Sequence, residues 1–350
     1  ASVQGDGRYR RMMQSISDAR YAYRNRYIVE AAYQLAGSSR FDKEHRFHPF
    51  ASAGVAWVAS NEDFIKNASW IDYLKVKAQY GVIGTYENAF GSAYRYQSDF
   101  NRANSGSFGP VLNLDTWFGS KQWTAQKTTV NQLANPNLDW EKLEMWQVGL
   151  DFDFCKDFTF SATVYGQKTI GEIVNANSSV PRVFGIPDAT IYANVASNKR
   201  LGYELSLGWR HSFGDFTLFA AANAAHWNTV YNKVLNDDYL YEYQKKTGTS
   251  TSDIWGLECI GKYQTQEQVE TIPSYSAVTI GDLMYKDQNN DGKIDSNDEK
   301  VIGNTQPALR YSVRLGFEYK GLALEIVGMG RTGYDYMCNS AYFWNGWGDG

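Results

Sequence analysis

Long apolar runs are absent from this sequence of 350 residues. No stretch approaches the roughly 18 consecutive apolar residues that mark a transmembrane helix, so helical membrane spans are excluded. The 34 basic and 38 acidic residues nearly balance, and no basic cluster is interleaved with aromatic residues. We therefore expect no nucleic-acid partner.

Cysteine and histidine are scarce. Cys155, Cys259 and Cys338 are widely spaced and form no CxxC pair, which argues against a disulfide framework and against a zinc site. The four histidines have no metal-ligand spacing, and no hydrolase or nucleotide-binding motif occurs. We expect neither catalytic nor cofactor-binding residues, although the paired carboxylates of a glycan-degrading enzyme would leave no sequence signature.

An N-terminal signal sequence is also missing. Residues 1–7 are polar and contain no apolar core, and residues 344–350 have the composition of a loop rather than of a closing strand. We expect the chain to be an internal part of a longer protein.

Aromatic residues, in contrast, are abundant, with 25 Tyr, 18 Phe and 11 Trp. Many lie in stretches where large apolar residues alternate with small or polar ones. Alternation with period two predicts strands with one apolar and one polar face. Such rows occupy residues 21–33, 74–82, 144–154, 201–209 and 309–319.

These strands are long, and the connections between them are unequal. Residues 155–157 and 214–215 are short enough for hairpin turns, whereas residues 236–276 form an excursion too long for a simple connector. Membrane-crossing strands need roughly 9–11 residues and carry Tyr and Trp near their ends. The pattern favours an all-β, antiparallel transmembrane β-barrel with long extracellular loops. A secreted, calcium-stabilised β-sandwich that binds carbohydrate is the alternative.

One acidic segment, residues 287–298, has the spacing of a calcium loop. Oxygen-bearing side chains stand at loop positions 1, 3, 5, 9 and 12, Gly292 stands at position 6, and position 7 would contribute its backbone carbonyl. Ile294 would anchor the loop to apolar neighbours. A solvated turn of Asp and Asn residues is the alternative. The candidate ligands for a structural Ca²⁺ are Asp287, Asn289, Asp291, Lys293, Asp295 and Asp298.

Several blocks of sequence, taken in order, resemble the barrel of the SusC-like (SusC/RagA) TonB-dependent outer-membrane transporters of Bacteroidetes. The blocks are residues 37–41, 47–49, 52–57, 61–64, 74–81, 135–142, 194–205 and 281–304. The resemblance implies that residues 1–350 are the C-terminal part of a plugged barrel of about 22 strands. No plug and no TonB-contacting segment are recognisable in this sequence.

The same resemblance implies a location in the outer membrane of a Gram-negative bacterium, in contact with its lipid. It also implies active import of oligosaccharides, other glycans or peptides, with energy supplied by the TonB complex through the plug and with a SusD-like surface lipoprotein as partner. Aromatic residues of the long excursion could stack on sugar rings or pack the loop itself. The candidates are Tyr239, Tyr241, Tyr243 and Trp255.

Overall fold

A computed structural model describes residues 11–85, 94–102, 128–177 and 189–338. Ten long strands form one antiparallel sheet in which each strand pairs with its neighbours in chain order. In spatial order they are β1 (Met12–Tyr23), β2 (Tyr27–Ser38), β3 (Phe47–Val58), β4 (Ile71–Thr85), β7 (Glu141–Phe154), β8 (Phe158–Asn175), β9 (Tyr192–Phe213), β10 (Phe216–Lys233), β15 (Leu309–Tyr319) and β16 (Leu322–Thr332).

The remaining regular elements are short and lie in the connections. Three two-stranded ribbons pair β5 (Asp99–Arg102) with β6 (Thr128–Gln132), β11 (Asp253–Gly256) with β14 (Lys300–Asn304), and β12 (Cys259–Lys262) with β13 (Leu283–Tyr285). The only α-helix of the described residues is α1 (Gln266–Thr271). Its N-terminus is stabilised by a capping box formed by Thr265. None of the helices described here is long and apolar enough to cross a membrane.

The two ends of the sheet differ in the length of their connections. At one end the chain turns within residues 24–26, 155–157, 214–215 and 320–321, and a longer turn spans 59–70. At the other end the connections are residues 39–46, 86–140, 176–191 and 234–308. The hairpins predicted at 155–157 and 214–215 are therefore confirmed. Cys155 and Lys156 have left-handed backbones (φ 52° and 66°), as a tight hairpin requires.

The pattern alone suggested that the alternating row between Tyr21 and Tyr33 is a single strand. In the structure it is divided between β1 and β2. The chain reverses at residues 24–26, where Arg24 and Asn25 have left-handed backbones (φ 49° and 51°). Tyr21 consequently lies directly opposite Val29 in the neighbouring strand. Residues that face each other in this way point to the same side of the sheet, so the predicted common face is retained.

Apolar side chains form one continuous face across all ten strands, because every strand is paired in a register that keeps its apolar residues on the same side. One register row contains Tyr21, Val29, Val55, Ala78, Val148, Val164 and Tyr203. Val148 is 49 % exposed and Ile326 is 64 % exposed. In the described part of the chain no second sheet covers this face, whereas the sandwich alternative requires one.

The small buried core lies at the end with the long connections. It consists of Ala36, Phe41, Phe50, Leu138, Trp140 and Ile173. The rings of Phe41 and Trp140 are 5.1 Å apart, and the Trp140 indole donates a hydrogen bond to the His45 carbonyl. Two connections that are far apart in sequence are thereby packed together with strand residues at this end of the sheet.

Candidate functional site

The face opposite the apolar one is polar and charged, and ion pairs link its strands. Arg20 pairs with Glu30 (3.1 Å), which lies directly opposite it. Lys77 of β4 donates to Asp151 of β7 (2.9 Å). Two further pairs join the last strands of the sheet: Arg210–Glu318 (2.6 Å) and Arg314–Glu325 (2.7 Å). Since an ion in hydrocarbon is costly, this face is the one that meets water.

Two concavities lie along the polar face. The first, of about 650 Å³, is lined by strands β1 to β8 and includes Glu30, Gln79 and Tyr165. The second, of about 690 Å³, is lined by strands β8 to β16 and includes Glu204 and Arg310. Their hydroxyl, amide and charged groups can hydrogen-bond a polar solute.

The acidic loop, residues 287–298, directs its carboxylates toward its own backbone. Asp287 accepts hydrogen bonds from the backbone N–H groups of Asn290 (2.6 Å) and Gly292 (2.9 Å). Asp291 accepts one from the Lys293 N–H (2.9 Å). Among the described residues no three His, Cys, Asp or Glu side chains are grouped so that they could hold a metal ion. Calcium binding therefore stays a prediction.

The end of the acidic loop is its most buried part. The Asp298 side chain is fully buried and accepts hydrogen bonds from the N–H groups of Gln288 (2.8 Å) and Asp295 (2.9 Å). Ile294 is only 4 % exposed, which is the burial that its predicted anchoring role requires. Asp295 caps the short turn that follows, where it accepts from the Asn297 N–H (2.7 Å).

Two of the four candidate aromatic residues contact the acidic loop. The rings of Tyr241 and Tyr243 stack at 5.4 Å with an interplanar angle of 12°. The Tyr243 hydroxyl donates to the Asn297 carbonyl (2.6 Å), and the Tyr241 hydroxyl accepts from the Asn289 amide (3.2 Å). Burial and the nearby Asp298 carboxylate raise the pKa of Tyr243. This pair holds the loop in place.

The other two aromatic candidates, Trp255 and Tyr239, belong to the same long connection. Trp255 lies in β11 opposite Val301 of β14. Tyr239 is exposed to solvent, at 41 %. Stacking of these aromatic residues on a sugar ring remains a prediction.

A cluster around Glu62, at the end with short turns, is not predicted by any pattern in the sequence. Its carboxylate accepts hydrogen bonds from the Tyr27 hydroxyl (2.7 Å), the Arg26 guanidinium (3.0 Å) and the Trp57 indole (3.1 Å). The hydrogen bonds from Tyr27 and Trp57, together with the charge of Arg26, lower the pKa of Glu62. Glu62 belongs to the block at residues 61–64 that resembles the family, but this block alone does not indicate which residues Glu62 contacts.

A second such carboxylate lies in the long connection between β10 and β15. Glu258 accepts hydrogen bonds from the Lys300 ammonium (2.6 Å) and the Gln288 amide (2.8 Å). These two hydrogen bonds are the main cause of a lowered pKa for Glu258. Gln288 belongs to the acidic loop, so Glu258 ties that loop to the ribbon strand β14.

Comparison with known proteins assigns the architecture. The family described as TonB dependent receptor-like, beta-barrel matches residues 124–346. TonB-dependent receptor P26 of Formosa agariphila is 24 % identical over 344 residues, which cover 92 % of this chain and 32 % of that protein. TonB-dependent receptor SusC of Bacteroides thetaiotaomicron is 25 % identical over 343 residues, which cover 92 % of this chain and 31 % of SusC.

Among solved structures, the RagAB peptide importer in its open-open state has the same fold. The TM-score is 0.70 at 19 % sequence identity, and the match covers 91 % of this chain and 32 % of the importer chain. The closed-closed state of the same importer matches with a TM-score of 0.68. The chain thus spans about a third of the length of the proteins it matches.

Proposed function

Because this chain belongs to the TonB-dependent receptor-like β-barrel family of outer-membrane proteins, we propose that it forms part of the wall of an active importer for oligosaccharides, other glycans or peptides. The apolar face meets lipid, and the polar face lines a hydrated passage. The process is translocation, in which no substrate bond is broken.

The energy source and the partner follow from the resemblance to SusC-like transporters. We propose that TonB supplies the energy through a plug domain located elsewhere in the receptor. A SusD-like surface lipoprotein would bind the substrate at the end with the long connections. The importer that shares the fold is a peptide importer by name, which supports peptides as a substrate class. Glycans are proposed from the resemblance to SusC-like transporters, of which SusC is a relative of this chain.

One observation carries the proposal: ten paired strands keep their apolar residues on a single face, with bulges only near strand ends, while the opposite face carries ion pairs. Leu207 and Ser206, neighbours in β9, illustrate the division. Leu207 lies opposite Phe160 and Ala222, whereas Ser206 lies opposite Ser161 and Asn223. Such a sheet separates hydrocarbon from water, which is what a transmembrane barrel wall must do.

The test is uptake by cells that carry or lack the intact receptor. Both strains would be given a mixture of oligosaccharides and a mixture of tryptic peptides, and depletion of each compound from the medium would be followed by mass spectrometry. We expect the deletion strain to lose uptake of one class of compound. Loss of the proton gradient or of TonB should abolish the same uptake in the parent strain.

Two results would contradict the proposal. Uptake that continues at the same rate without TonB would show passive flow. Compounds that are cleaved outside the cell only when the receptor is present would indicate an enzyme. Deleting the partner lipoprotein separately tests the partnership, since it should reduce uptake at low substrate concentration without affecting the amount of receptor in the membrane.

A further inference from the structure

Charged residues are excluded from a defined band of the apolar face. The upper aromatic row, toward the long connections, contains Tyr80, Trp146, Tyr203 and Tyr311. The lower aromatic row, toward the short turns, contains Tyr23, Trp57, Phe154, Phe213 and Tyr319. Between these rows no Asp, Glu, Lys or Arg of the described strands points to the apolar face.

The charges return immediately beyond the upper aromatic row. Gly166 lies directly opposite Trp146, and Lys168 follows two residues later on the same face. At about 3.4 Å per residue, the Lys168 backbone lies about 7 Å farther toward the long connections. Lys199 of β9 lies directly opposite Lys168, so two ammonium groups extend from adjacent positions of the same surface.

Two like charges in directly opposite positions destabilise a sheet unless a counter-ion is present. Glu144 lies opposite Lys168 on its other side. No carboxylate in the described part of the chain, Glu144 included, comes within ion-pair distance of Lys168 or Lys199. Nearby Lys142 has a partner, Asp139, at 3.8 Å.

The position of the pair indicates its ligand. Outer-membrane barrels have short turns on the periplasmic side and long loops outside, so the long connections face the exterior. Aromatic rows mark the boundary between hydrocarbon and head groups. Lys168 and Lys199 therefore lie at the depth of the outer-leaflet head groups and on the surface that faces lipid.

We propose that Lys168 and Lys199 form a binding site for the phosphate of a phosphorylated glycolipid of the outer leaflet. An ammonium group binds phosphate as a point charge, and each lysine near an anionic membrane surface strengthens binding by about fivefold. The apolar residues below, among them Val164 and Leu201, meet the acyl chains of the same lipid. The site rests on the outer-membrane location and is independent of what is transported.

The test uses the intact receptor, purified in a neutral detergent and analysed by native mass spectrometry. The probe is lipid A, and the reference probe is the same lipid A after enzymatic removal of its phosphates. We expect the unaltered receptor to retain lipid A at least fivefold better than the dephosphorylated form. Because the two lipids are compared on the unaltered receptor, this test of phosphate recognition does not depend on whether any variant folds.

Variants then locate the site. K168Q and K199Q should each lower lipid A retention about fivefold, whereas K168R and K199R should keep it. K75Q is the matched control, because Lys75 lies in the same sheet on the polar face, opposite Asp151. Equal retention of the two lipid A forms would overturn the proposal, and so would a loss in K75Q as large as that in K168Q.

Discussion

The ring of Tyr165 lies over the backbone of Gly202, the residue directly opposite it in the neighbouring strand. A methyl group added at Gly202 would lie 2.6 Å from Cζ of this ring and 2.9 Å from the carbonyl oxygen of His226. Both distances are shorter than van der Waals contact. The absence of a side chain at Gly202 is therefore what allows the aromatic ring to lie flat against the wall.

The Gly202→Ala substitution should destabilise the barrel, because the new methyl group must displace both the Tyr165 ring and the backbone at His226. Overpacking of this kind costs about 1–3 kcal/mol. The measurement is the midpoint of thermal unfolding of the intact receptor in detergent.

The control for this prediction is Gly54→Ala. A methyl group at Gly54 would lie 3.5 Å from Cβ of Gln79, an ordinary contact. Both substitutions reduce the flexibility of the unfolded chain in the same way, so that effect cancels. Equal midpoints for the two variants would show that the close approach at Gly202 is unimportant.

The same pairing recurs in the sheet. Phe219 lies over Gly316 on the polar face and Tyr311 lies over Gly330 on the apolar face, each at directly opposite positions. Aromatic residues cover glycines in this way to protect the bare backbone and to set the register. Neither pair is visible in the sequence, because the strands that bring the residues together must first be aligned.

The fold itself was largely predictable, since period two determines which side of a strand is apolar without any knowledge of its neighbours. The row from Leu201 to Trp209 is an example. The pairing of β10 with β15 was not predictable in this way, because residues 234–308 separate the two strands. A short turn specifies its own pairing, whereas a long connection leaves many registers open.

The sites were less predictable than the strands, because they depend on contacts between distant residues. Glu62 and Arg26 are 36 positions apart. No local pattern predicts that three donors converge on one carboxylate. The sequence predicts Tyr241 and Tyr243 as candidate aromatic residues, but their stacking on each other and their hydrogen bonds to the acidic loop depend on how the long connection folds.

Leu207→Arg should strongly impair insertion of the barrel. Leu207 lies between the upper and lower aromatic rows of the apolar face and is 45 % exposed. An arginine on the lipid side costs about 2–4 kcal/mol near the middle of the bilayer. The measurement is the fraction of folded receptor in the outer membrane, read from its heat-dependent migration on gels.

Ser206→Arg is the matched control, because it places the same residue one position earlier, on the polar face. We expect it to leave the folded fraction nearly unchanged. If both variants fold equally well, the assignment of the two faces is wrong.

The cluster around Glu62 should make the stability of the folded receptor depend on pH. Hydrogen bonds from Tyr27 and Trp57 lower the pKa of Glu62 in the folded state. The unfolded state therefore binds this proton more readily, and the stabilisation is complete above the ordinary glutamate pKa and is lost as the pH falls through the lowered value. Glu62→Gln should lower the unfolding midpoint at neutral pH, and its difference from the unaltered receptor should shrink in acid.

Asp63→Asn is the control for this pH dependence. Asp63 also contacts Arg26 at 3.0 Å, but its side chain is 85 % exposed, so water screens the interaction. Its substitution should change the midpoint little at any pH. A Glu62→Gln difference that stays constant from neutral pH into acid would contradict the role of the carboxylate charge.

Calcium binding by the acidic loop can be measured by calorimetric titration of the intact receptor. Asp298 stands where calcium loops usually have a bidentate glutamate, so we expect weak binding, with a Kd of about 10⁻⁴–10⁻³ M. The carboxylates now bonded to backbone N–H groups would have to turn toward the ion. Asp291→Ala should abolish the heat of binding.

Asp291→Asn separates the ligand role of Asp291 from its role in shaping the loop. The amide oxygen can still accept the hydrogen bond from the Lys293 N–H, now 2.9 Å from the carboxylate, while the charge is lost. If Asp291 is a ligand, this variant should bind Ca²⁺ more weakly but keep its loop intact. Asp238→Asn, in the same long connection but outside the acidic loop, should bind normally. Absence of any calcium-dependent heat in the unaltered receptor would end the calcium hypothesis and leave residues 287–298 as a turn held by its own hydrogen bonds.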